Sequence, residues 1–99
     1  MATFITTIKF TTKGIEHIQE SPQRAAAFNV AAEKLGVKVV GLYWTLGSFD
    51  GVIVFEAPDD KTATAAMLSL ASKGNVQTTT ARAFDAAEIE NVIGMLSKR

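Results

Sequence analysis

The run Leu46 to Asp60, LGSFDGVIVFEAPDD, constrains the fold more than any other part of the chain. Gly47, Ser48, Phe49 and Asp50 carry turn chemistry, because glycine reaches backbone angles closed to other residues and Ser and Asp side chains bond to nearby backbone groups. Gly51 to Ala57 then reads as a buried strand, with Val52, Ile53, Val54 and Phe55 all β-branched or aromatic. Pro58 ends that strand, and Asp59 or Asp60 offers a carboxylate to the free N–H groups of a following helix. Upstream, Val37 to Leu46 is again β-branched and aromatic, so the four-residue turn joins two antiparallel strands.

The rest of the chain fits around this hairpin. Thr3 to Phe10 alternates, with Phe4, Ile8 and Phe10 on one side and Thr3, Ile5, Thr7 and Lys9 on the other. After Gly14 a helical turn is expected near Ile15 to Gln19, and Ser21-Pro22 opens a helix whose apolar positions are Ala25, Phe28, Ala32 and Leu35. Gly36 stops it. Ala63, Ala66, Met67, Leu70 and Ala71 form the stripe of the helix after the hairpin, closed by Gly74-Asn75. Val76 to Phe84 predicts a Thr-rich fourth strand, and Asp85 to Glu88 a capping box before a last helix striped by Ile89, Val92, Ile93 and Leu96.

The order is β-α-β-β-α-β plus a C-terminal helix, the split βαβ arrangement of an α+β ferredoxin-like fold. Both main helices are expected on one face of a four-stranded antiparallel sheet, and 99 residues predict one domain over 1–99. Alternation assigns Phe4, Ile8, Leu42, Ile53 and Phe55 to the helix side. It leaves Ile5, Thr7, Lys9, Tyr43, Thr45, Val52, Val54, Glu56, Thr78, Thr80 and Arg82 on the open side. Such a face is too apolar for plain solvent and too charged for a core, which suits a dimer enclosing a partly polar cavity.

Ten basic and ten acidic residues balance, so the chain lacks the cationic excess that nucleic-acid binding draws on. No cysteine is present to form a disulfide or a thiolate metal site, and no apolar run approaches the roughly 20 residues that span a bilayer. A cytoplasmic protein without metal or cofactor, and without nucleic-acid or membrane partners, is the expectation.

End to end, the chain resembles the GYD domain family, small bacterial proteins of ferredoxin-like fold. The resemblance rests on Lys9-Phe10-Thr11 with Gly14-Ile15, Ala32 to Gly36, Leu46 to Asp50, Glu56 to Asp60, Gly74-Asn75-Val76 and Thr80 to Phe84. In the name-giving Gly-x-Tyr-Asp, Gly47 and Asp50 are kept and Phe49 stands in place of the tyrosine. The resemblance implies the fold, and by analogy the dimeric α+β barrels in which such domains face their sheets together, but no reaction.

Asp50, with Gly47 and Phe49, reads first as a turn-former. His17 and Glu56 are the candidate proton-transfer groups, His17 being the sole histidine. Thr7, Lys9, Tyr43, Glu56 and Arg82 are the candidate ligand-binding residues of the open face, where Lys9 and Arg82 would hold an anion. The leading expectation is a homodimer, or an assembly of dimers, binding a small molecule on that face. The alternatives are a cofactor-free barrel enzyme of isomerase or monooxygenase type, and a structural module for protein contacts.

Overall fold

Alternation along Ala2–Phe10 makes β1, the strand on which the sheet is built, with β3 (Gly51–Ala57) on one side and β4 (Val76–Ala83) on the other. β2 (Lys38–Trp44) pairs with the outer edge of β3, giving the order β2-β3-β1-β4 with every pairing antiparallel. Between the strands run a short helix α1 (Thr12–Glu16), α2 (Ser21–Lys34) and α3 (Asp60–Ala71). α4 (Ala86–Gly94) follows β4. These come from a computed structural model, which describes residues 1–97. The fold is the expected ferredoxin-like α+β sheet with helices.

α2 and α3 cover one sheet face. Phe28 and Ala32 of α2 and Ala63, Ala66 and Met67 of α3 are buried with Phe4, Ile8, Ile53 and Phe55 of the sheet. Phe4 and Phe55, directly opposite in register, stack with ring centroids 5.3 Å apart. Thr6 is wholly buried in this layer, and its hydroxyl is satisfied by Met67 Sδ at 3.2 Å and Thr80 Oγ1 at 2.7 Å.

Helix ends follow the expected chemistry in most places. Asp59 accepts from the Thr62 N–H, and Asp85 and Glu88 form a full capping box at the start of α4. Gly36 and Gly74, at φ 83° and 81°, take the left-handed conformation just past α2 and α3. Ser21 departs from expectation: α2 has no side-chain cap, and the Ser21 hydroxyl instead accepts from Trp44 Nε1 at 2.9 Å.

α4 has no buried residue, and Ile89, Val92, Ile93 and Leu96 are all exposed. The apolar stripe of the last helix therefore lacks cover from the rest of the chain. The molecule measures 55 × 31 × 18 Å, with a radius of gyration of 15.3 Å, against about 13 Å for a compact chain of 100 residues.

Candidate functional site

Strand register decides which side chains share a face, since directly opposed residues in an antiparallel pair point the same way. On the open side one row reads Tyr43, Val52, Thr7, Thr79 across β2, β3, β1 and β4, and the next reads Gly41, Val54, Ile5, Ala81. A third row holds Lys38, Glu56, Thr3 and Ala83. Thr7, Lys9, Tyr43 and Glu56 thus lie on the face expected of them.

Arg82, Thr78 and Thr80 do not. They oppose Phe4, Ile8 and Thr6 and so belong to the helix side. The reason is that β4, with Gln77, three threonines, Ala81 and Arg82, has no hydrophobic alternation to reveal its parity, whereas the pairing of Val76 with Phe10 sets it. Arg82 lies 4.5 Å over the Phe84 ring and pairs with Glu88 at 3.0 Å. Its guanidinium also donates to the Thr3 and Ala83 carbonyls. The hydrogen bond from the Asp85 N–H, and then that from Arg82, hold the Glu88 carboxyl below the ordinary range.

Nor do the other candidates converge. Glu56 opposes Thr3 while Lys9 lies six residues further along β1, a separation of about 20 Å at the rise of a strand. Lys9 Nζ donates to the Ser48 carbonyl at 3.3 Å. His17 sits exposed in the turn after α1, with Nδ1 3.5 Å from Glu20 Oε2. The anion clamp of Lys9 with Arg82 is not assembled within one chain, because the two side chains lie on opposite faces of the sheet. Among the described residues no cluster of three or more His, Asp or Glu side chains is placed to hold a metal ion.

Asp50 is a structural acceptor. Its Oδ2 takes the Phe10 N–H at 2.8 Å, its own N–H donates to the Ile8 carbonyl at 2.7 Å, and its carbonyl accepts from Thr45. The Thr45 hydroxyl donates to the Phe49 carbonyl at 2.6 Å, which closes the loop two residues before the end expected for this strand. Gly47, at φ 139°, needs the freedom of glycine.

A concavity that the sequence did not predict lies on the helix side of the sheet. A cleft of about 440 Å³ runs between α2, α3 and the sheet, lined by Phe28, Leu42, Trp44, Ile53 and Leu70. Lys13, Arg24 and Lys73 border it. Sequence reasoning missed these residues because α2 and α3 pack on the same layer without closing over it, a tertiary property with no local signature.

The architecture defines a ferredoxin-like scaffold with one helix-covered and one bare sheet face. Its sequence matches the GYD domain over residues 4–93, and the chain belongs to that family. A Thermus thermophilus protein called "Glutamine synthetase and cystathionine beta-lyase binding protein" is 41% identical over 90 residues, covering 90% of this chain and 95% of its own length. The crystal structure of TTHA0845 from the same organism superimposes with a TM-score of 0.57 at 23% identity, covering 87% of this chain and 96% of that one. A 5-chloro-2-hydroxyhydroquinone dehydrochlorinase from Burkholderia phenoliruptrix AC1100 gives a TM-score of 0.62 at 14% identity, covering 88% and 97%. At those identities the two structures share the fold alone.

Proposed function

We propose that this protein is a self-associating binding module: two copies join through the bare sheet faces, and the pair carries a partner enzyme. The observation supporting this is the apolar centre of that face. Ile5, Val52, Val54, Tyr43 and Ala81 adjoin across all four strands, and transfer of Arg82 to the other side removes the charge expected among them. Contiguous apolar surface of this kind favours a protein partner over water. Charges sit at its margins, where Lys38 opposes Glu56 and Lys9 opposes Gln77.

The partner class comes from the Thermus relative, whose name describes binding to two enzymes. α4 suits such contacts, because its nine residues are too few for a stable isolated helix and its apolar stripe lacks cover from its own chain. A small-molecule chamber between paired sheets would be lined by Thr7, Tyr43 and Glu56, with Arg82 outside it. His17, exposed beside Glu20, and Glu56, opposite Lys38 at the sheet margin, are the proton-transfer groups of the alternative reading as a cofactor-free enzyme.

Co-sedimentation with purified Thermus thermophilus glutamine synthetase and cystathionine beta-lyase tests the partner class, with the Thermus relative run in parallel. The chain is expected to travel with at least one enzyme. Its absence from both fractions, with the relative present, would contradict the proposal.

A further inference from the structure

The helix-side cleft has a chemical asymmetry independent of any pairing between copies. The cleft opens to solvent between α2, α3 and the sheet and reaches about 440 Å³, within the range of small-molecule sites. The space exists because the residues turned toward it from α2 and the end of α3 include the small Ala25, Ala31 and Ser69. Its floor is apolar, from Ile8, Leu42 and Ile53, and Trp44 is fixed at the start of α2 by its bond to Ser21.

Three cations gather at its border. Lys13 Nζ donates to the Lys73 carbonyl at 2.8 Å, and Arg24 donates to the carbonyls of His17 at 3.0 Å and Gly14 at 3.5 Å, so all three residues meet around the α1 end of the cleft. Among the described residues the ion pairs are His17 with Glu20 and Arg82 with Glu88, so none of the three cations has a carboxylate partner. The acidic residue lining the cleft is Asp50, one of whose oxygens holds the Phe10 N–H. On a chain of zero formal charge this is a local excess rather than a general bias.

We propose that the cleft binds a small carboxylic acid with an apolar body, its hydrocarbon against Leu42, Ile53 and Trp44 and its carboxylate toward Lys13, Arg24 and Lys73. An apolar pocket with a few convergent charged groups fixes both the class of ligand and its orientation. A carboxylate gains charge-assisted hydrogen bonds there that a neutral group of equal size does not.

Trp44, the sole tryptophan, reports occupancy by its fluorescence. At pH 7, 3-phenylpropionate is expected to give a saturable change and to bind at least about tenfold more tightly than 3-phenylpropan-1-ol, the equivalent of one charge-assisted bond. Lys73→Gln is expected to weaken the acid several-fold and leave the alcohol unchanged. Its side chain holds no backbone carbonyl, so the fold does not depend on it as it does on Arg24. Ala31→Leu, which fills the cleft, is expected to abolish both signals while circular dichroism stays that of the parent. Lys61→Gln, on the exposed start of α3, changes neither. Equal affinity for acid and alcohol, no saturable change with either ligand, or indifference of the acid to Lys73→Gln would overturn the proposal.

Discussion

Single residues explain the family's signature turns without invoking catalysis. A Cβ at Gly14 would lie 2.1 Å from the Asn75 carbonyl oxygen, so this glycine allows α1 to touch the start of β4. Gly14→Ala is expected to cost about 1–3 kcal/mol, as overpacking against backbone does, measured by urea unfolding. Gly94→Ala, where an added Cβ meets nothing within 4 Å, is the control and is expected to be neutral or mildly stabilising. Asp50 poses a sharper test. Asp50→Ala removes the acceptor of the Phe10 N–H and is expected to cost about 1–3 kcal/mol, whereas Asp50→Asn keeps an oxygen there and should lose less. A family role resting on the Asp50 charge would make Asp50→Asn as damaging as Asp50→Ala in a binding assay.

Elements were legible in proportion to their patterning. β1 and β3 alternate or run apolar, and their faces follow directly; Asp59 and the Asp85–Glu88 box mark the starts of α3 and α4. β4 exposes its parity only through pairing with β1, which is why Arg82, Thr78 and Thr80 change sides. The α4 stripe was visible, yet a stripe says that a helix needs cover and not which surface supplies it. Acid tests the helix starts. Thr62, through its backbone N–H and then its hydroxyl, lowers Asp59, and the Asp85 N–H and then Arg82 lower Glu88. Folded-state values below the unfolded ones mean that this stabilisation is complete above the ordinary carboxylate range and is lost as pH falls through the lowered values. Far-ultraviolet circular dichroism is therefore expected to lose helix signal below about pH 4, and Asp85→Ala to lose part of it already at pH 7. An acid-insensitive helix signal would show the caps to be dispensable.

At the scale of the molecule, one sheet face is sealed by helices over a core centred on Phe4, Ile53 and Phe55, and the other is bare. Phe55→Ala is expected to cost about 3–5 kcal/mol in unfolding, because Phe55 is wholly buried against Phe4. Val54 and Ile5 oppose each other on the bare side, where a change ought to act on association rather than folding. The helix-side cleft and the thin, elongated outline could be read only from tertiary packing. Sedimentation equilibrium of the parent and of Val54→Lys tests the pairing of sheets most directly. The parent is expected at twice its sequence mass or a multiple of that, and Val54→Lys at the mass of one folded chain. A parent that sediments as a single chain at micromolar concentration, or a Val54→Lys variant that keeps the parent's mass, would contradict it.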